Sequence, residues 1–260
     1  MKTVLITGCS TGFGLETARY FLDQGWRVVA TMRTPDKNVL PASDRLRIVA
    51  LDVTDPDSIR RAVETAGPID VLVNNAGIGF LNALEGTPMA TVRDIFETNT
   101  FGTMAMTQAV LPQFRERKEG VVVNVTSTVT LRPLHLLSIY TASKAAVNAF
   151  TEVIALELAP FNVRVRVVLP GRAPSTAFGD NARTRMQRTR MQDGFSEPYA
   201  EMVQQMFKSF EDNPDAPITE SIDVAKEIFR AATDPASPMR IPAGADAVET
   251  AKGLKGYALG

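Results

Sequence analysis

Residues 3–14 read Thr3-Val4-Leu5-Ile6-Thr7-Gly8-Cys9-Ser10-Thr11-Gly12-Phe13-Gly14, and a helical pattern follows from Leu15 to Asp23. The apolar, β-branched start from Thr3 to Thr7 suits a short buried strand. Glycines serve where the backbone takes positive φ or lies close to a ligand, and the first turn of a helix offers unpaired N–H groups to a pyrophosphate. Strand, glycine loop and helix in that order predict a dinucleotide-binding unit, the alternative being a tight turn with no ligand.

Working outward, five more strand patterns follow: Arg27 to Thr31, Leu46 to Leu51, Ile69 to Val73, Gly120 to Thr126 and Val163 to Leu169. Helical patterns alternate with them. The predicted fold is therefore α/β, a doubly wound, mostly parallel sheet of about seven strands with helices on both faces, a Rossmann fold. Ligands of such sheets sit at the carboxyl ends of the strands. At those ends stand Met32-Arg33, Asp52-Val53, Asn74-Asn75-Ala76-Gly77, Ser127 and Pro170-Gly171. Thr54 or Asp55 is placed to cap the helix containing Ile59 and Val63. Between Met89 and Arg117 two helical stretches carry Asn99 and Pro112. An Asn inside a helical pattern often bonds neighbouring backbone or holds water, and Pro112 marks a kink or an end.

Where a NAD-binding chain often carries a carboxylate for the ribose 2′-OH, at the end of the second strand, this one has Met32 and Arg33. A guanidinium there can pair with a 2′-phosphate, so NADP(H) is favoured and NAD(H) remains open; a solvated surface Arg is the alternative. Asp52 and the Asn75-Ala76-Gly77 turn can contact the adenosine half, or be a helix-flanking acid and an ordinary turn. Tyr140 and Lys144 stand four apart and share a helix face. A cation beside a phenol favours the phenolate, so this pair and Ser127 read as a proton-transfer site.

With 260 residues, 45% of them hydrophobic, the chain is expected to form a single catalytic domain over 1–260. A net charge of −1 gives no global field for nucleic acid or an anionic membrane, so neither is expected as a partner. Cys9 is the only cysteine, and the start reads straight into a strand without a signal or membrane-length apolar run. A cytoplasmic protein is expected. His135 is the only histidine, which leaves no metal site expected.

Together, Thr7-Gly8-x-x-x-Gly12-x-Gly14, Asn74-Asn75-Ala76-Gly77, Asn99, Ser127, Tyr140-x-x-x-Lys144 and Pro170-Gly171 resemble the short-chain dehydrogenase/reductase family in order and spacing, over about residues 1 to 176. The segment Ala30-Thr31-Met32-Arg33 is similar to NADP-using members, including hydroxysteroid and carbonyl reductases. The resemblance implies Tyr140 as acid/base, Ser127 on the substrate oxygen, Lys144 lowering the Tyr140 pKa and holding the nicotinamide ribose, and Asn99 anchoring a water relay. It implies a cofactor set of Gly8, Ser10, Thr11, Gly12, Phe13, Gly14, Arg33, Asp52, Val53, Asn75, Ala76, Gly77, Tyr140, Lys144, Pro170, Gly171, Ala173 and Ser175. Departures are Thr130, where many members have glycine, Ala173 in place of Val or Ile, and Ser175 in place of Thr as the phosphate hydroxyl. The C-terminal Arg240 to Asp246 differs from the ending common in tetrameric members. A tetramer is therefore not expected, while alanines along the Tyr140 helix leave a homodimer open.

Residues 176–217 show no strand pattern and are expected to form a substrate lid. Phe178, Met186, Met191, Phe195, Tyr199, Met202, Met206 and Phe207 either line an apolar pocket for a hydrophobic carbonyl or alcohol substrate or dock the lid on the core. Arg183, Arg185, Arg188 and Arg190 read as a solvated face before an anion site. The expected activity is NADP(H)-dependent interconversion of a secondary alcohol and a ketone. A sugar-nucleotide epimerase or dehydratase shares the Tyr and Lys but usually spaces its glycines differently. A non-catalytic dinucleotide sensor would keep the loop and lose the proton groups, all of which are present.

Overall fold

The computed structural model describes residues 1–36, 38–176, 178–179, 181–182, 184–185, 197–211 and 216–253. Strands β1 (Thr3–Ile6), β2 (Arg27–Met32), β3 (Leu46–Ala50), β4 (Val71–Asn74), β5 (Gly120–Val125), β6 (Val163–Pro170) and β7 (Arg240–Ala243) form one sheet in the order β3-β2-β1-β4-β5-β6-β7. Every described pairing in it is parallel. The chain order reverses between β1 and β4, and the crevice at that switch point is where a doubly wound sheet holds ligands.

Alternation along β1 shows why both faces are covered. Val4 and Ile6 join one apolar cluster with Phe21 and Leu22 of α1 (Gly12–Asp23) and Val224 and Ile228 of α7 (Ser221–Thr233). Leu5 points the other way, into a cluster with Ile59 of α2 (Pro56–Ala66), Met106 and Val110 of α4 (Gly102–Arg117), and Ile154 and Leu158 of α5 (Ser138–Leu158). Side chains of this size contribute roughly 1.5–3 kcal/mol each when fully buried, so the central strands read as continuous apolar runs.

Asp55 is the cap of α2, its side chain accepting from the Asp57 N–H at 2.9 Å. Thr54 instead donates its hydroxyl to Asp52. The two stretches expected between Met89 and Arg117 are α3 (Met89–Phe96) and α4, joined by a π-helical turn, Glu97–Phe101, that contains Asn99. Pro112 lies inside α4. Arg240–Ala243, read from the sequence as part of a divergent C-terminal segment, is the seventh strand. Pro242 is tolerated in it because β7 is an edge and needs no N–H on its outer side. Helices α6 (Ala200–Glu211) and α8 (Ala245–Lys252) flank α7 in the chain.

Candidate active site

The carboxyl ends of the strands surround one cleft of about 1650 Å³. Pockets for a single small molecule run to ~1,000 Å³, so this one has room for more than one ligand.

On one side the wall is main chain. Gly8 and Gly12 take φ of 76° and 59°, a region that L side chains rarely adopt. A Cβ on Gly14 would lie 2.2 Å from the Gly8 carbonyl oxygen, so this third glycine allows α1 to close on the loop and does not itself line the cleft. Thr7 and Asn75 stitch the loop to the end of β4. The Thr7 hydroxyl oxygen accepts from the N–H groups of Asn75 and Ala76, and the Asn75 amide donates to the Thr7 and Gly8 carbonyls at 2.9 and 3.2 Å. The Asn75 side chain is thus a clip on the loop. Thr11 stands at the N-terminus of α1 without a side-chain cap, and no acid occupies the first turn. Those N–H groups fit a pyrophosphate. Burial pushes the Cys9 thiol up to about 12, leaving it protonated at neutral pH.

Asp52 accepts from the N–H and hydroxyl of Thr54, and the first of these bonds, helped by the second and by the Arg33 charge, holds its carboxyl below the usual range. Arg33 itself is exposed and lines the cleft, as do Ser10, Thr11, Phe13 and Val53. On the opposite rim Pro170, Gly171 and Ala173 line the cleft, but Ser175 is exposed and outside the lining. Thr176 takes the place expected for Ser175: it is buried, lines the cleft, and lies 3.5 Å from where a Gly12 Cβ would stand. Its hydroxyl donates to the Ala173 carbonyl, a turn that no strand or helix periodicity reveals.

The proton-bearing groups meet at the floor. Tyr140 and Lys144, one turn apart on α5, are both buried, and the Lys144 ammonium lies 6.0 Å from the Tyr140 ring centroid while donating to the Val125 carbonyl at 3.0 Å. A Cβ on Gly77 would stand 3.2 Å from both the Lys144 ammonium and the Asn99 amide oxygen, so the missing side chain keeps this corner of the cleft open. Ser127 lies two residues beyond β5 and faces Tyr140. Burial drives the Tyr140 phenol well above its ordinary value, opposed only by the nearby Ser127 hydroxyl. Burial also pushes the Lys144 ammonium down to about 8. A neutral phenol beside a cation poised near neutrality is the protonation state of a general acid.

Asn99 is fully buried in the π turn. Its amide accepts from the Ile78 N–H at 2.8 Å and donates to the Ile78 carbonyl and the Ser143 hydroxyl, which in turn donates to the Tyr140 carbonyl. Asn99 therefore ties the β4 loop to the Tyr140 turn, and π turns often mark such places.

The sequence profile of the short chain dehydrogenase family matches residues 2–187. The chain belongs to the short-chain dehydrogenase family. Among relatives, a 3-ketodihydrosphingosine reductase of Bacteroides thetaiotaomicron is 39% identical over 184 residues, covering 69% of this chain and 66%, just under two thirds, of its own length. A 3-ketoacyl-(acyl-carrier-protein) reductase from Brucella melitensis, solved with NADH, superposes with a TM-score of 0.74 at 28% identity, over 90% of this chain and 92% of that one. A short chain dehydrogenase from Burkholderia cenocepacia, solved with NADP, gives 0.75 at 28% identity over 99% and 95%.

In this short-chain dehydrogenase the side of the cleft opposite the glycine loop is built from side chains. Phe178 stands with its ring 5.6 Å from that of Tyr140, and a Cβ on Gly79 would meet the Phe178 ring edge at 2.7 Å. Met202 lines the cleft and packs with Tyr199 against Ala83, Leu136 and Val203, while the Tyr199 hydroxyl donates to Glu85. His135 is exposed at the rim, next to Leu136, which takes a φ of 63° that is rare outside glycine. Arg185 also lines the cleft. Met186, Met191, Phe195, Arg183, Arg188 and Arg190, and the side chains of Met206 and Phe207, lie outside the described residues. Among those described, no helix is long and apolar enough to cross a membrane.

Proposed function

We propose that this oxidoreductase uses NADP(H) to interconvert a hydrophobic secondary alcohol and its ketone, with Tyr140 as acid/base. The observation that carries the reading is the meeting of Tyr140 and Ser127 on the floor of a dinucleotide-sized cleft, with the Lys144 ammonium on the same helix face. The nicotinamide, when bound, gives or takes a hydride at C4. In reduction the neutral Tyr140 gives its proton to the carbonyl oxygen, Ser127 holds that oxygen, and the Lys144 charge stabilises the phenolate left behind. Lys144 also faces the corner opened by Gly77, which supports its placement on the nicotinamide ribose, and Asn99 keeps the Ile78 and Tyr140 backbones in register around it.

NADP(H) over NAD(H) is supported by Met32-Arg33 at the end of β2, where a NAD-binding chain often has a carboxylate and this one has Arg33 lining the cleft. A hydrophobic substrate is supported by Leu134, Leu137, Phe178 and Met202 in the lining, and the Bacteroides relative is named for the reduction of 3-ketodihydrosphingosine. The same reading makes 1–260 one catalytic domain with 176–217 as its lid. The docking of α6 on Leu136 and Ala83 supports that role. A homodimer belongs to it too, since Val153 and Leu156 stand 56% and 76% exposed along α5.

Replacing Tyr140 by Phe keeps the ring and removes the proton. Turnover is expected to fall by ~10²–10⁴-fold with the Kd for NADPH nearly unchanged. Retention of most of the kcat overturns the assignment. Fluorescence titration with NADPH and NADH, followed by a panel of ketones and alcohols, fixes the cofactor and the substrate class.

A further inference from the structure

Three successive turns of one face of α5 touch the end of β5, because residues 140, 144 and 148 stand four apart. Tyr140 faces Ser127, and Lys144 donates to the Val125 carbonyl. Asn148 reaches the same strand end through a relay: its amide nitrogen donates to the Thr130 hydroxyl oxygen at 2.9 Å, and the Thr130 hydroxyl donates to the Ser127 carbonyl at 2.8 Å. The polarity is fixed, since a carbonyl only accepts and a hydroxyl has one proton. With that proton on the Ser127 carbonyl, Asn148 must be the donor to Thr130.

Two further observations set this relay apart from ordinary packing. The Ser127 hydroxyl itself is only loosely held by the main chain, accepting from the Val129 N–H at 3.4 Å. Its backbone is pinned while its reactive end stays available to Tyr140. Asn148, for its part, is 6% exposed with an amide oxygen that has no hydrogen-bond partner among the described residues. Among the described residues the Asn148 side chain is therefore engaged through its nitrogen, on Thr130.

We propose that Thr130 and Asn148 are positioning residues, a brace that fixes the Ser127 backbone so that the hydroxyl meets Tyr140 and the substrate oxygen together. This rests on the reading of Ser127 and Tyr140 given above. Thr130 stands where the family resemblance led us to expect glycine, which could not supply the hydroxyl.

The test uses the full chain with NADPH and the ketone of highest turnover. Thr130→Val keeps the shape and removes the proton; its kcat is expected to fall ~10-fold, with the KM for ketone and the Kd for NADPH within about twofold of wild type. Thr130→Ser is expected to restore the rate. On a Ser127→Ala background the same Thr130→Val change is expected to add nothing, because a residue acting only through Ser127 has no effect once the hydroxyl is gone. Asn148→Leu removes both the donor and the unpaired oxygen, and is expected to lower kcat while the Tm holds or rises. If Thr130→Val does not fold, Asn148→Leu and its cycle with Ser127→Ala decide the matter alone. Wild-type kcat in the folded Thr130 and Asn148 variants, or losses that multiply with Ser127→Ala, overturns the brace. Full activity in Ser127→Ala brings down the underlying reading as well, whereas a dead Ser127→Ala beside a fully active Thr130→Val brings down the brace alone.

Discussion

On the dinucleotide side of the cleft, a carbon added at Gly14 would run into a backbone carbonyl at 2.2 Å; on the substrate side, a carbon added at Gly79 would meet the outer edge of the Phe178 ring at 2.7 Å. Both contacts are too short to keep, but different atoms would have to give way. The Gly8 carbonyl is fixed by the Asn75 clip and by the strand behind it. The Phe178 ring is 39% exposed and turns on its own side-chain torsions. One wall therefore gets its shape from main chain that admits no added side chain. The other gets it from side chains that can be exchanged. A fixed cofactor needs the first kind of surface, and a choice among substrates needs the second.

The sharpest way to break this contrast is Gly14→Ala. Overpacking against backbone is expected to cost about 3 kcal/mol, which for a chain of this size lowers Tm by roughly 6–12 °C and carries NADPH binding away with it. Thermal unfolding and an NADPH titration check both, and an unperturbed variant would show that the loop is not closed as described. Next in size is Arg33→Ala. A lost charge-assisted hydrogen bond is worth roughly 1.5–3 kcal/mol, so NADPH is expected to weaken ~10–150-fold while NADH is unaffected. Equal losses for the two cofactors would leave discrimination to the main-chain wall. The smallest effect belongs to Gly79→Ala, where Phe178 swings away. Tm is expected to hold within about 2 °C while the KM for bulky hydrophobic ketones changes about threefold and that for short ones does not, as for a lost apolar contact. A Tm loss like that of Gly14→Ala would mean that the two walls are alike after all.

The same division governs how much could be read from residue order. The main-chain wall was legible because its glycines, strand ends and Asn74-Asn75-Ala76-Gly77 turn are local patterns that dictate local backbone. Tyr140 and Lys144 were legible for a similar reason, since helical spacing brings them together. What escaped depends on partners distant in sequence. Asn75 lies among the expected cofactor contacts, yet its amide bonds carbonyls 67 and 68 positions earlier. Thr176 and Ser175 are neighbours with the same functional group, and only the turn onto the Ala173 carbonyl decides which one faces the glycine loop. β7 escaped because four residues containing a proline carry no period; its strand character comes from pairing with β6. Residue order also does not show how deeply a side chain is buried, and burial is what raises the Tyr140 phenol and lowers the Lys144 ammonium.

The π turn at Glu97–Phe101 can also be described as a matter of reading frame along a helix. A π turn holds one residue more than an α turn, so the stretch from Met89 to Arg117 is an α-helix carrying a single surplus amino acid. Deleting one codon between Glu97 and Phe101 would leave an uninterrupted helix of ordinary pitch. The wider turn fits the surplus residue into about the rotation of an ordinary α turn, so α3 and α4 would stay in phase after the deletion. What would change is local: the residues inside the turn bulge outward, and it is from this bulge that the Asn99 carboxamide reaches Ile78 on one side and Ser143 on the other. The join between the β4 loop and the Tyr140 turn thus hangs on one extra residue, the kind of change that a single insertion can create and a single deletion erase.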